Sequence, residues 1–290
     1  MKKVGYLGPK GTFTEMAAKA VFPNAEGHQY KTIPSSIDGV INEEVDIAVV
    51  PLENAIEGSV NLTMDYLLHN VHLPIIGEVI VPIRQHLLGL QKNSGDLEAV
   101  RKVYSHPHAI AQCHNFLREQ FPHAEIEYTN STGEAARYIM EHPNELSVAI
   151  GNELAAEEYG LQILKHNIHD FENNHTRFII VSNNTVLTKD HSPLYTKHKT
   201  TLMITLPSDY SGALHQVLSA FSWRKLNLSK IESRPTKTGL GNYFFVIDVD
   251  HGMDDILIPG VIAELEALQC SVRVLGSYPC YSINMNIIAK

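Results

Sequence analysis

The sequence predicts an α/β protein with mainly parallel sheets, followed by a smaller α+β unit of order βαββαβ. Three observations carry this. Strand-like and helix-like segments alternate through roughly the first 180 residues. A polar stretch containing Pro193 interrupts them, and the rest of the chain has a different rhythm. The length of 290 residues, at about 150 per domain, also fits roughly two domains.

Val4–Leu7 is a short apolar strand running into a glycine loop, and a helix follows from about Phe13 to Phe22. Asp46–Val50 is a buried strand ending at Pro51, and Pro74–Ile83 is β-branched and long for one strand. Helical spacing returns at 109–121, 133–141 and 152–159, with extended stretches at 125–129, 147–150 and 177–181. Thr188–Lys199 has little periodicity and reads as a linker. Beyond it, Leu202, Ile204 and Leu206 alternate as in a half-buried strand, and Ala213, Leu214, Val217, Leu218 and Phe221 share one helical face. Extended segments at 228–234 and 242–250, an amphipathic helix from Ile256 to Leu268 and a strand near 272–278 complete the unit.

Lysine and arginine total 23 against 32 acidic residues, a net charge of −9, which argues against a nucleic-acid or anionic-membrane partner. No apolar run approaches the roughly 20 residues of a membrane helix. Gly5, Gly8 and Pro9 interrupt any signal-peptide core. Cys113, Cys270 and Cys280 form neither an even disulfide set nor a CxxC pair, so a reduced, soluble, cytoplasmic protein is expected.

Several constellations could carry chemistry. Gly8–Glu15 joins a strand to a helix start, where free N–H groups favour an anion; a plain turn is the alternative. Pro51–Val60 lies beyond the carboxyl end of a strand and offers Glu53, Asn54, Glu57 and Ser59, although Ser59 could instead cap the next helix. Arg177 beside Phe178–Val181 needs either an anionic ligand or an internal ion pair, and the spacing does not choose. The sixteen histidines, including clusters at His106, His108 and His114 and at His166, His169 and His175, lack metal-site spacing, so no metal is expected. In the C-terminal unit, Gly212–Leu218 opens a helix and Glu232–Pro235 ends a strand.

Together the motifs resemble the prephenate dehydratase family: GxxGTF at Gly8–Phe13, PLENAIEGSV at Pro51–Val60, SHPHAIAQC at Ser105–Cys113, NSTGEAA at Asn130–Ala136 and NHTRF at Asn174–Phe178. GALHQVL at Gly212–Leu218 and ESRP at Glu232–Pro235 resemble an ACT regulatory module. The resemblance implies a catalytic domain over 1–185, two-lobed and similar to a periplasmic binding protein. Its first lobe would take about 1–80 and 172–185, and its second about 81–171. A linker at 186–199 and an ACT domain at 200–280 follow. No chorismate mutase segment precedes residue 1, so the monofunctional form is expected. His108 stands where the family commonly has glutamine, Gly133 where alanine is usual, and Gly151-Asn152 where Ala-Ser is common.

The implied activity is loss of carbon dioxide and water from prephenate to give phenylpyruvate, on the route to phenylalanine. Aromatisation drives the reaction, so no cofactor is expected. The resemblance makes Thr176, Arg177 and Phe178 catalytic, with Thr176 hydrogen-bonding the departing oxygen and Arg177 gripping the pyruvyl carboxylate. Proton delivery could run through water, His175 or Glu53. Thr12, Asn54 and Ser59 would face Ser105, Ser131 and Thr132 across the cleft. Gly212, Ala213, Leu214, Glu232, Ser233, Arg234 and Pro235 would bind L-phenylalanine as feedback inhibitor in a homodimer or homotetramer. The alternatives are an arogenate dehydratase and a non-catalytic amino-acid sensor.

Overall fold

The computed structural model describes residues 1–91, 97–183, 187, 192–208, 210–236 and 243–283. In chain order they form β1 (Lys3–Leu7), α1 (Phe13–Val21), β2 (Glu26–Tyr30), α2 (Ile33–Ile41), β3 (Ile47–Asn54), β4 (Gly58–Ser59), α3 (Asn61–His69), β5 (Ile75–Pro82) and β6 (His86–Gly89). There follow β7 (Lys102–Ser105), α4 (Pro107–Gln112), α5 (His114–Gln120), β8 (Glu125–Tyr128), α6 (Thr132–Glu141), β9 (Ser147–Gly151), α7 (Glu153–Glu158), β10 (Gln162–Lys165) and β11 (His175–Val181). The last elements are β12 (Tyr195–Thr205), α8 (Ala213–Ser222), β13 (Leu228–Pro235), β14 (Tyr243–Val249), α9 (Leu257–Ala267) and β15 (Ser271–Ser282). Two compact units result, one built on Met1–Val71 and Val79–Ile179, the other on His72–Glu78 and Ile180–Ser282.

The first unit contains two sheets. In one the order is β11-β3-β1-β2, with β1 parallel to both β2 and β3. Ile47, Ala48, Val49 and Val50 are wholly buried, as expected for a strand covered on both faces. The other sheet runs β10-β6-β9-β7-β8, with β7 parallel to β8 and β9 and the pairs of β6 antiparallel. One of its faces packs Val103, Cys113, Leu117 and Val148, and the other packs Tyr104, Ala135, Ile139 and Ala149.

In the second unit β13-β14-β12-β15 pair antiparallel in that order, and α8 and α9 pack together on one core with Leu202, Ile204, Ile247 and Val249. Lys199 and Glu78 form a buried ion pair here (2.9 Å).

Four expectations are corrected. The helical stretch 109–121 is two helices, because Cys113 leaves helical geometry (φ −120, ψ 22) and its N–H bonds the Ile110 carbonyl one residue short. The linker at 186–199 lies partly outside the described residues, and from Tyr195 onward it is strand, paired with β15. Leu214 leaves the apolar face of α8 and is 37% exposed. Ser59 does not cap α3, whose N-cap is Val60; it sits in the short β4 ladder opposite Glu53.

Candidate active site

A cavity of about 440 Å³ opens between the two sheets of the first unit. It is built where loops leave the carboxyl ends of strands, as expected for α/β sheets. Thr12, Phe13 and Thr14 enter it from the start of α1, Ser59 from β4, Val60 from the start of α3, and Asn130, Ser131 and Thr132 from the start of α6. Each helix start presents unpaired N–H groups and a partial charge of about +0.5. Among the described residues, those lining the cavity include neither lysine nor arginine. Charge complementarity to an anion therefore comes from backbone amides.

The strand β11 divides its side chains by alternation. Thr176 and Phe178 face the cavity, while Arg177 is not in its wall and pairs with Glu53 (3.7 Å). The expectation that Arg177 grips a substrate carboxylate is therefore corrected, and the internal ion pair is what forms. His175 is exposed with its Nδ1 on the Asn173 carbonyl, and it too lies outside the wall, as does Glu53. Neither is placed to pass a proton to a bound molecule.

Asn54 sets the geometry of Thr176. Its Oδ1 accepts the backbone N–H groups of Ile56 (2.9 Å) and Glu57 (3.0 Å), which fixes the amide orientation. Its Nδ2 then donates to Thr176 Oγ1 (2.8 Å) and Asn174 Oδ1 (3.0 Å). A hydroxyl oxygen that already accepts has its own proton to give, and no described residue takes it. The Thr176 hydroxyl is thus a donor aimed at the occupant of the cavity.

Other expected residues stand differently. Thr12 lines the cavity, but its hydroxyl is used locally: it donates to the Leu7 carbonyl (3.0 Å) and accepts the Glu15 N–H (3.3 Å) as helix cap. Ser131 likewise caps α6 by accepting the Glu134 N–H (3.0 Å), with Thr132 beside it in the wall. Ser105 is corrected: it is fully buried, donates to the Ile150 carbonyl (2.8 Å) and does not reach the cavity.

Gln85 and Gln112, not expected from the sequence, are in the wall, as are His106 and His108, which the sequence brought forward only as an unsuitable metal cluster and, for His108, as a departure from the family pattern. Gln85 Nε2 donates to Gln112 Oε1 (3.4 Å), and both side chains are buried. His106 caps α4 through Nδ1, which accepts the His108 N–H (3.2 Å); burial first, and the neighbouring His108 second, hold its pKa below the ordinary value. Gln112, His106 and His108 lie within the Ser105–Cys113 motif, so the signal was present. Gln85 carried none.

The Gly8–Thr12 loop packs against α6 and α7. Lys10 Nζ reaches Glu158 (2.7 Å), the Tyr159 hydroxyl donates to the Lys10 carbonyl (3.1 Å), and a β-carbon on Gly133 would collide with that carbonyl. Gly11 adopts φ +76 with the Ala155 backbone against it, a position only glycine fills without strain.

His86, Glu153 and His166 gather outside the cavity wall in a grouping with metal-ligand spacing. The donor set does not suit a cation. His86 Nδ1 accepts the Asn167 N–H (2.9 Å), so the ring proton sits on Nε2, the atom facing Glu153 at 3.6 Å, and leaves no lone pair there.

A family model described as prephenate dehydratase matches residues 4–186. The chain belongs to the prephenate dehydratase family. A prephenate dehydratase of Bacillus subtilis (strain 168) is 55% identical over 285 residues, spanning 97% of this chain and 100% of that protein. The crystal structure of a prephenate dehydratase in complex with L-Phe from Arthrobacter aurescens is similar at 36% identity and TM-score 0.82, over 95% of this chain and 89% of that one. A structure described as GqqA, a novel type of quorum quenching acylases, is similar at 25% identity and TM-score 0.83, over 96% and 98%. In prephenate dehydratase terms, the Asn54–Thr176 pair joins two of the quoted motifs, PLENAIEGSV and NHTRF, in one hydrogen bond.

In the second unit, Gly212 is the left-handed N-cap of α8 (φ 93), followed by buried Ala213 and partly exposed Leu214. On β13, Glu232 lies between Arg234 (2.7 Å) and Lys230 (3.1 Å), while Ser233 and Pro235 are exposed.

Proposed function

We propose that this cavity holds prephenate and converts it to phenylpyruvate, carbon dioxide and water. The observation that carries the reading is the Thr176 hydroxyl, oriented by Asn54 as a free donor among helix starts. As the ring carboxylate leaves as carbon dioxide, its bonding pair enters the ring and the carbon–oxygen bond to the ring hydroxyl breaks. The departing oxygen gathers negative charge and takes one proton to become water. Thr176 donates its hydrogen bond to that oxygen as the charge develops, which is where a preorganised donor contributes most. First-turn amides of α1 and α6 hold carboxylates without a fixed cation. That suits the ring carboxylate, which must shed its charge and would be held back by a tight guanidinium clamp.

An acylase reaction with Thr176 as nucleophile, on the lines of the activity that the neighbour's description names, would need a base on the Thr176 hydroxyl. Its described partner is the Asn54 amide, which donates to it.

The C-terminal unit is read as an ACT module: it has βαββαβ order, a small-residue turn at Gly212–Leu214 and a strand ending at Glu232–Pro235. The solved Arthrobacter relative carries L-Phe, which supports feedback inhibition of this chain by that amino acid; we read the inhibition as acting through a dimer or tetramer. No described helix is long and apolar enough to cross a membrane and the three cysteines are free, which fits a cytoplasmic enzyme.

Turnover is tested by incubating the full chain with prephenate near neutral pH, with and without L-phenylalanine, and reading phenylpyruvate by its absorbance in alkali. Phenylpyruvate should form, less of it with the amino acid present, and Thr176→Val should lose roughly 100- to 1,000-fold in kcat. Decay no faster than in buffer overturns the reading.

A further inference from the structure

Prephenate is a dianion, yet its proposed cavity contains a carboxylate of its own. Glu57 is the acidic side chain in the wall, and no lysine or arginine among the described lining residues offsets it. Its partner is His108, whose Nε2 lies 3.8 Å from Glu57 Oε2. The two come from opposite walls, Glu57 from the turn between β3 and β4 and His108 from the first turn of α4. Both are open to a ligand, with side chains 34% and 58% exposed. Glu57 is not loosely placed: its backbone N–H is held by Asn54 Oδ1 (3.0 Å), on the same amide that orients Thr176.

We propose that Glu57 and His108 form the charge selector of this pocket, deciding between the α-keto diacid and its α-amino counterpart, arogenate. The proposal rests on the reading of the cavity as a prephenate site. Where the His108 ring offsets the carboxylate, a dianion enters with less repulsion from the wall. Where it does not, Glu57 opposes the two carboxylates of the keto substrate. It attracts a molecule that carries an ammonium in place of the keto group.

Two titratable groups face His108. Glu57 does so from the β3–β4 turn, and His106 from its own helix start, ring edge to ring at 4.8 Å. His106 is committed as a cap through Nδ1, so protonating it would set two N–H groups against each other. His108 is left as the ring that can offset Glu57.

The test compares wild type, Glu57→Gln, His108→Gln and the double variant. The readouts are kcat and KM for prephenate and for arogenate near neutral pH. Glu57→Gln should move the ratio of kcat/KM values toward prephenate, and His108→Gln should move it toward arogenate. Each shift should be roughly tenfold, the scale of one charge in a partly solvated site. The double variant, with both members of the pair replaced, should return toward the wild-type ratio, a restoration that misfolding would not produce. Turnover of prephenate by wild type with a ratio unmoved in both single variants overturns the selector alone. Absence of turnover on either substrate overturns the site reading beneath it.

Discussion

A threonine hydroxyl is too weak an acid to hand over its proton outright, so its value lies in where that proton points. Here the direction is set by Asn54, and Asn54 is set in turn by two backbone N–H groups of its own turn. Replacing Asn54 by aspartate keeps the shape and reverses the bond. The turn still has its acceptor, but the second carboxylate oxygen can only accept and draws the Thr176 proton away from the cavity. Asn54→Asp should therefore lower kcat by roughly 100-fold or more, as removal of an oxyanion donor does, with a smaller change in KM. Adding Thr176→Val should cost little further, since the two act as a unit. Steady-state kinetics of the three variants check this, and an Asn54→Asp enzyme within a few-fold of wild type would refute the orientation argument. The same scale shows what residue type alone hides. Arg177 is the more conspicuous group for an anion, yet period-two alternation turns it from the cavity and brings Thr176 and Phe178 in.

Among the elements, the start of α6 does two things. It lines the cavity, and at Gly133 it receives the Lys10 carbonyl at a separation no side chain permits. Gly133→Ala adds a methyl that must push the Gly8–Thr12 loop away, and with it the Thr12–Thr14 wall. Alanine also favours the helix by roughly 0.5–1 kcal/mol over glycine, which offsets part of the overpacking. The expected outcome is a KM for prephenate raised several-fold with little change in melting temperature. A structure or kinetic analysis showing the loop in place and KM unaltered would contradict it. Elements with a strong apolar pattern, such as β3 and the βαββαβ succession, could be read directly from periodicity. Two others could not. Edge strand β2 (Glu26–Tyr30) is polar and largely exposed, so no alternation marks it. Helix α2 contains Pro34, two serines and Gly39, poor helix formers held by the Thr32–Ser35 capping box and by burial of Ile33, Ile37 and Val40.

On the scale of the whole molecule, a net charge of −9 says nothing against an anionic substrate, because local amides decide the matter. The motifs could be found in the sequence, but their division between cavity wall and supporting structure could not. Ser105 and the Thr12 hydroxyl satisfy nearby backbone groups, a role that spacing does not distinguish from ligand contact. Buried histidine leaves a further global trace. His86 is almost wholly buried, and burial first, then the charges of His166, His169 and Arg84, lower its pKa from 6.5 to about 4. The unfolded chain takes up this proton near pH 6.5, while the folded one resists until about pH 4. Stability from the neutral ring is therefore fully present above pH 6.5 and is lost as pH falls toward 4, by about 3 kcal/mol at the end. His86→Asn keeps an acceptor for the Asn167 N–H and removes the titration. Denaturant unfolding at pH 7, 5.5 and 4.5 should show wild type losing more stability across this window than the variant. Equal losses in the two proteins would assign the acid sensitivity to other groups.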